Sequence, residues 1–192
     1  MRMKATNTEL IDDLIERTQS IMNRVQELSK LTDQQLNWKP NAEKWSVLEC
    51  IEHLNRYAEF YNPEIAQRLK QAKSSKTGRF KSSWLGEYFA ESMKPKEKLN
   101  RMKTFTAMNP NQVQLNRSII DRVLNYQREL LELLSQSRSF DLQRTKTSIS
   151  ISKIIKLRLG DTYRVLIYHN QRHILQAEKV VTSMSEMINQ AS

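Results

Sequence analysis

The sequence predicts an all-α protein, a four-helix bundle with a long crossover connection after the second helix. The chain has 192 residues but only three glycines and four prolines, and its apolar residues recur at helical rather than alternating spacing. Four long segments carry such an apolar stripe, and a long polar connection separates the second from the third. A chain of this length buries a continuous core without disulfides or a structural metal, so we expect residues 1–192 to form one domain.

The first two helices are predicted over residues 7–30 and 45–71. The second begins with a capping box, Ser46 and Glu49, in which the hydroxyl and the carboxylate each accept a hydrogen bond from a backbone N–H at the helix start. The apolar stripe of the first helix is Leu10, Leu14, Ile21, Val25 and Leu28, and that of the second is Val47, Ile51, Leu54, Ala58 and Ile65.

The last two helices follow a polar connection that contains Pro95 and Pro110. The third is predicted over residues 114–135, and the fourth begins at Gly160 and Asp161, which are typical of a stop followed by a helix cap. Residues 140–159 mix alternating polarity with a short apolar cluster, which predicts an extended segment followed by one helical turn. The inward stripe of the fourth helix is Leu166, His169, His173, Ala177, Val180 and Met184.

Charge and cysteine content restrict the partners and the compartment. The formal net charge is +10, but the basic residues fall in two polar connections and do not alternate with aromatic residues, which indicates solvated loops and no nucleic-acid partner. A single cysteine, Cys50, excludes an intramolecular disulfide and fits a reducing compartment. The absence of a signal peptide or a membrane-length apolar stretch predicts a cytoplasmic protein without a membrane partner. The basic residues of the two connections are Lys70, Lys73, Lys76, Arg79 and Lys81, and Lys94, Lys96, Lys98, Arg101 and Lys103.

All three histidines of the chain lie on the predicted second and fourth helices. His169 and His173 are four residues apart and project from one helix face, so both rings can point at one ion. The spacing alone is also common in ordinary histidine pairs, but a buried pair needs hydrogen-bond partners or a shared cation. If the two helices are neighbours, His53 completes a three-imidazole site. Such a site leaves one coordination position for water or substrate, as in catalytic zinc sites.

Two stretches resemble the DinB-like superfamily. LTDQQLNWKPNAEKWSVLECIEHLN, residues 31–55, is similar to the family segment that enters the second helix, and LRLGDTYRVLIYHNQRHILQAEKV, residues 157–180, is similar to its last helix. The matching positions are Leu36, Trp38, Pro40, Trp45, Ser46, Glu49, His53 and Leu54 in the first stretch, and Gly160, His169, Arg172, His173 and Gln176 in the second.

The resemblance implies a four-helix bundle with one divalent metal ion, commonly zinc or nickel, held at one end by His53, His169 and His173. Related proteins include thiol-dependent S-transferases and a mycothiol-dependent isomerase, which implies a small-molecule substrate and a low-molecular-weight thiol as a further cofactor. The resemblance also implies a homodimer. The apolar cluster of Trp84, Leu85, Tyr88 and Phe89 in the crossover, which needs cover, favours the same assembly.

Three residues near the histidines are candidates for further roles. Glu49 could act as a general base or orient His53, but the capping box already explains it. Arg172 could hold an anionic substrate or thiol by a bidentate contact, or pair with Glu49 or Glu52. Cys50 could reach the metal, although a free cysteine is commonly a small buried hydrophobe.

Aromatic and amide residues near the histidines allow two readings as well. Asn170 and Gln176 could fix the histidine tautomers, although Asn170 could equally be solvated. Trp38, Trp45 and Tyr57 could wall a pocket, or pack the first connection against the bundle.

Two function classes remain open on this basis. The first is a metal-dependent enzyme of the hydrolase or thiol S-transferase type, in which the cation activates a water or a thiol. The second is a non-catalytic, metal-stabilised helical bundle that acts as a binding or interaction protein. The first class is favoured because every histidine of the chain falls at one of the three positions.

Overall fold

The computed structural model describes residues 2–75, 78–96, 104–111 and 115–190, and these residues are mostly helical. A one-turn 3-10 helix, Thr106–Met108, lies in the connection between the second and third long helices. The α-helices are α1 (Asn7–Leu28), α2 (Asp33–Asn37), α3 (Val47–Leu69), α4 (Trp84–Met93), α5 (Ser118–Ser137) and α6 (Leu159–Gln190). Two antiparallel strand pairs accompany them, β1 (Lys4–Thr6) with β2 (Arg79–Lys81) and β3 (Lys146–Ile149) with β4 (Ser152–Arg158).

The four long helices, α1, α3, α5 and α6, pack against one another. Both α1 and α3 contact α5 and α6. The stripes predicted for the first two helices are buried, and the fourth stripe is buried except at His173, which is partly exposed. The expectation of a mainly helical protein is therefore confirmed, and the two small strand pairs add to it.

The start of α3 follows the predicted pattern. The backbone N–H of Glu49 donates to Ser46 Oγ at 3.2 Å, and the Ser46 N–H donates to Glu49 Oε2 at 2.8 Å. This capping box satisfies two backbone donors and fixes the residue at which the helix begins. His53 follows Glu49 by four residues, so the cap also fixes the face from which His53 projects.

The start of α6 differs from the prediction, because Gly160 and Asp161 lie inside its first turn. Gly160 is required by packing: a Cβ atom there would lie 2.6 Å from the Phe80 ring. The Asp161 carboxylate accepts hydrogen bonds from the Ser82 and Ser83 hydroxyls and from the Ser83 backbone N–H. Asp161 therefore holds the segment that enters α4, and the interpretation of this pair as a stop followed by a cap is wrong.

The crossover also contains structure that the prediction omitted. Helix α4 begins after Ser83, whose hydroxyl accepts from the Gly86 N–H at 2.9 Å, and it packs on α6. Within the extended segment, β3 and β4 form a hairpin that leads directly into α6, so the separate helical turn expected there is wrong. The third long helix begins at Ser118, whereas its predicted start at residue 114 lies outside the described residues.

The described basic residues of the two connections lie mostly at the surface. Among the basic residues, Lys70, Lys73, Arg79, Lys81 and Lys96 are exposed and Lys94 is half-buried. Four of the basic residues lie outside the described residues, namely Lys76, Lys98, Arg101 and Lys103.

None of the helices in the described part of the chain is both long and apolar enough to span a membrane.

Candidate metal centre

Three histidine side chains meet between α3 and α6. One possible ligand atom from each of His53, His169 and His173 lies within 4.8 Å of the others. The Nε2 atoms of His53 and His169 are 3.1 Å apart, and the His173 ring centroid lies 4.4 Å from that of His53 and 4.5 Å from that of His169. His53 and His169 are buried, whereas His173 is partly exposed. The structure therefore brings together the three residues that the sequence singled out.

Hydrogen bonds on the outer ring nitrogens orient two of the three imidazoles. His53 Nδ1 lies 2.6 Å from the Met108 carbonyl oxygen, and His173 Nδ1 lies 3.0 Å from Gln176 Oε1. A carbonyl oxygen can only accept, so both Nδ1 atoms carry the proton and both Nε2 atoms keep their lone pairs. The Nδ1 atom of His169 is buried without a hydrogen-bond partner among the described residues.

The donor set suits a divalent metal ion. Two imidazole nitrogens bound at about 2.0–2.1 Å to a tetrahedral ion lie about 3.3 Å apart, close to the separation of the His53 and His169 Nε2 atoms. Converging lone pairs repel one another unless a proton or a cation lies between them. Three imidazoles are compatible with zinc and nickel, and also with iron or copper.

Burial keeps the three imidazoles neutral at physiological pH. The pKa of His53 is lowered to about 4, mainly by desolvation; the hydrogen bond to the Met108 carbonyl partly offsets this effect, and the nearby Arg56 charge adds to it. The pKa values of His169 and His173 are also well below the ordinary value, first because of burial and then because of neighbouring charges, including that of Arg172. Neutral imidazole is the form that binds a metal, so protons compete weakly for these nitrogens at pH 7.

A cavity of about 970 Å³ opens beside the histidines. This is large enough for a small organic molecule. All three histidines contribute to its wall, so a ligand in the cavity would lie next to the ring nitrogens. The aromatic residues that line it are Trp45, Tyr57, Tyr61, Tyr88, Phe89 and Phe105.

Two of the three aromatic residues predicted near the site touch the histidine rings. Trp45 lies 4.8 Å from the His53 ring centroid, and Tyr57 lies 4.3 Å from that of His169. Both line the cavity. Trp38 is not among the described lining residues and packs instead against the hydrophobic core.

Neither Glu49 nor Cys50 is among the described residues that line the cavity. The carboxylate of Glu49 serves the capping box and accepts from Lys39 Nζ at 2.7 Å. Cys50 is fully buried, and desolvation raises the pKa of its thiol, which therefore stays protonated.

The remaining candidates lie on α6. Arg172 is 5% exposed and lines the cavity next to the histidines. Gln176 accepts from His173 Nδ1, as expected of a residue that fixes a tautomer. Asn170 is buried rather than solvated, and its Nδ2 lies 3.5 Å from Gln127 Oε1.

Several parts of the site were not predicted from the sequence. The Met108 carbonyl belongs to the backbone, so no side-chain pattern points to it. Phe89 and Met93 of α4, and Ile149 and Leu157 of the β3–β4 hairpin, also line the cavity. Helix α4 did leave a signal, because Ser83 is a typical helix cap and precedes the apolar cluster of the crossover.

A mainly helical fold in which two long helices bring three histidines together defines a class of helical proteins with a candidate metal site. The chain belongs to the DinB superfamily, whose family model matches residues 14–177. The matched span contains all three histidines, and it confirms the family that the sequence resembles.

Individual relatives give less information than the family model. The "Uncharacterized protein YuaE" of Bacillus subtilis (strain 168) is 39% identical over 46 residues. This match covers 24% of the present chain and 28% of the relative. No solved structure gives a significant match to the chain.

Proposed function

We propose that the protein is a metal-dependent enzyme that binds one divalent cation, zinc or nickel, through His53, His169 and His173. The observation that carries the proposal is the convergence of three neutral imidazoles on the wall of a cavity that can hold a small molecule. A purely structural zinc site is closed by four protein ligands, whereas three histidines leave a position open to the cavity.

The residues around the histidines have defined roles in this proposal. The Met108 carbonyl and Gln176 hold the Nδ1 protons of His53 and His173, so that both Nε2 atoms remain available as ligands. Trp45 and Tyr57 pack on the rings and keep water from their faces. When bound, the cation would lower the pKa of a water molecule or a thiol and so supply a nucleophile near neutral pH.

The proposed reaction is a hydrolysis or a transfer to a low-molecular-weight thiol, with a small-molecule substrate in the cavity. Arg172 lines the cavity together with His169 and His173, and we assign it a role in binding the substrate. Glu49 is left with its capping role, since its carboxylate already accepts from Ser46 and Lys39.

The proposal includes the assembly of the chain. We propose that α1, α3, α5 and α6 form a four-helix bundle in one domain, with residues 70–117 as the crossover. Trp84 and Tyr88 on α4 are 73% and 61% exposed, and an exposed aromatic pair of this kind is a reasonable contact for a homodimer. Light scattering should give twice the mass of the chain at micromolar concentration, and a monomer would contradict this part.

Metal analysis of tag-free protein tests the central proposal. We expect about one zinc or nickel ion per chain in the purified protein or after reconstitution, and loss of most of it on His53→Ala. Arg128→Ala, on the exposed face of α5, is the matched control. The metal-loaded protein should then be assayed with thiols, electrophiles and ester or amide substrates.

Two results would argue against the enzyme. Absence of metal under all loading conditions would remove the proposed site. Tight metal binding without turnover in a broad panel would support the alternative, a non-catalytic metal-stabilised bundle that acts as a binding protein.

A further inference from the structure

The crossover segment of residues 104–111 contributes to the candidate site in two ways. Its Met108 carbonyl oxygen lies 2.6 Å from His53 Nδ1. Whatever holds this segment in place therefore affects both a histidine of the site and the shape of the cavity beside it. The residues of the segment that line the cavity are Thr104, Phe105, Asn109 and Asn111.

One short turn gives this segment its internal structure. The turn is the 3-10 helix Thr106–Met108, in which the Met108 N–H donates to the Phe105 carbonyl oxygen at 2.9 Å. A single turn of this kind has poorer hydrogen-bond geometry than an α-helix and adds little stability. Thr106 and Ala107 are exposed to solvent. The position of the segment therefore depends on its contacts with the rest of the protein, among them those with α3.

Arg56 of α3 binds the segment on both sides of Met108. Its Nη1 donates to the Ala107 carbonyl oxygen at 3.2 Å and to the Asn109 carbonyl oxygen at 2.8 Å. His53 and Arg56 are three positions apart, a spacing that makes two side chains neighbours on one helix face. Two side chains of α3 thus bind three consecutive carbonyl groups of the crossover.

An acidic residue of the same helix holds Arg56 from the other side. Glu52 Oε1 lies 3.4 Å from Arg56 Nε, and Arg122 of α5 pairs with the same carboxylate. The side chains of Arg56 and Glu52 are only 22% and 10% exposed, so water competes less for these bonds than at an open surface. Hydrogen bonds from a charged donor are also stronger than those between neutral groups. The guanidinium is therefore fixed at Nε and holds the crossover through Nη1.

We propose that Arg56 is a positioning residue for the candidate metal site, because it holds the Met108 carbonyl where this group accepts the His53 Nδ1 proton. The tautomer of a neutral histidine is set by the hydrogen bond that its other nitrogen makes. A fixed acceptor at Nδ1 leaves the lone pair on His53 Nε2, which lies 3.1 Å from His169 Nε2. The inference rests on the proposed function where it concerns the metal, whereas the tautomer exists in metal-free protein as well.

Nitrogen NMR of metal-free protein at neutral pH measures the tautomer of His53. The wild-type spectrum should show a protonated Nδ1 and an unprotonated Nε2. In Arg56→Gln protein the Met108 carbonyl loses its fixed position, so the Nε2-protonated form should become populated. Arg56→Lys keeps the charge and a donor group, and it should restore part of the wild-type pattern. An unchanged tautomer in folded Arg56→Gln protein would overturn the proposal.

Arg68→Gln is the matched control. Arg68 also lies on α3 and pairs with a glutamate four positions earlier, Glu64, at 2.9 Å. Neither residue is among the described residues that line the cavity. The His53 tautomer should therefore be the same in Arg68→Gln protein as in the wild type. An equal change in the Arg56 and Arg68 variants would show that loss of any such ion pair on α3 disturbs the site, and it would refute a specific role for Arg56.

Zinc affinity connects the tautomer to the proposed function. Competition with a chelating dye should show roughly tenfold lower affinity in Arg56→Gln protein, a smaller loss in Arg56→Lys protein and no loss in Arg68→Gln protein. Wild-type zinc affinity in folded Arg56→Gln protein would contradict the proposal. A wild-type chain that takes up no metal would instead refute the proposed function, and the tautomer measurement would still decide the role of Arg56.

The wild-type protein provides a check that does not require Arg56→Gln to fold. A guanidinium bound through both Nε and Nη1 rotates slowly about its Nε–Cζ bond, so Arg56 should give separate Nη signals in NMR spectra. A single averaged Nη signal would show that the guanidinium does not hold the crossover, and the proposal would fail.

Discussion

At the scale of single residues, burial decides the chemistry of the three histidines. A histidine in water titrates near pH 6.5 and is partly protonated in neutral solution. Desolvation in the helix interface lowers the pKa of all three, that of His53 to about 4. The folded chain thereby keeps three imidazoles neutral, and its stability consequently falls when the pH is lowered.

The lowered histidine pKa values predict that acid destabilises the metal-free protein. The unfolded chain binds protons at these histidines near pH 6.5, whereas the folded chain binds one at His53 only near pH 4, so the unfolded state takes up more protons between these values. The stability contributed by the neutral histidines is present above pH 6.5 and is lost as the pH falls toward 4. We expect the melting temperature of metal-free protein to fall steadily from pH 7 to pH 5.

The matched control for the acid prediction is His53→Gln, which removes one titrating group and keeps a polar side chain. Its melting temperature should depend less on pH over the same range. The pKa of the Glu87 carboxyl group is lowered to about 2, so this group does not titrate in the same range. A melting temperature that does not change between pH 7 and pH 5 would contradict the depressed pKa values.

Gln176 allows a second prediction at this scale. Its Oε1 accepts from His173 Nδ1 at 3.0 Å and so keeps Nε2 free for a metal. Gln176→Ala should lower zinc affinity roughly tenfold, as commonly found for partners of metal-bound histidines, in a competition assay with a chelating dye. Gln171→Ala, on the same helix but beside Arg17, should leave the affinity unchanged. Equal effects of the two substitutions would indicate a general loss of stability.

At the scale of elements, the sequence predicted what depends on local pattern and failed where distant segments meet. The α3 capping box was predictable because its two residues are three positions apart and satisfy each other. The three histidines were predictable as a set once α3 and α6 were taken as neighbours. The Met108 carbonyl could not be predicted as part of the site. It lies 55 positions from His53 in the sequence, and Met108 makes the contact through its backbone rather than its side chain.

Gly160 shows how a local pattern can mislead. A glycine followed by aspartate is typical of a stop and a cap, yet both residues are helical and serve contacts with residues about 80 positions away. The requirement for glycine comes from Phe80, and the requirement for aspartate comes from Ser82 and Ser83. Neither requirement is visible until the crossover is folded onto α6.

The packing explanation for Gly160 predicts a specific stability defect. A Cβ at this position would lie 2.6 Å from the Phe80 ring, so Gly160→Ala should lower the free energy of unfolding by about 1–3 kcal/mol in urea denaturation. The double variant Gly160→Ala with Phe80→Leu should lose less than the sum of the two single changes, because the smaller side chain relieves the clash. Strict additivity would mean that the two residues do not meet.

At the scale of the whole molecule, the candidate site connects parts of the chain that are far apart in sequence. His53 comes from α3, His169 and His173 come from α6, and the Met108 carbonyl comes from the crossover. A ligand that binds only the folded state adds its binding free energy to stability, about 2.7 kcal/mol at a hundredfold excess over its dissociation constant. Metal binding should therefore raise the melting temperature. It should also stabilise α3, α6 and the part of the crossover that contains Met108.

Hydrogen exchange can measure this coupling segment by segment. Zinc should slow amide exchange in peptides that contain His53, in those that contain His169 and His173, and in the peptide over residues 104–111, because a metal-bound His53 holds the Met108 carbonyl through Nδ1. Peptides from the first turns of α1 should change much less, since they contribute no ligand. In His53→Ala protein, residual zinc binding at α6 should leave residues 104–111 unprotected. Protection of that peptide in His53→Ala protein, or none in the wild type, would show that His53 does not couple the crossover to the metal.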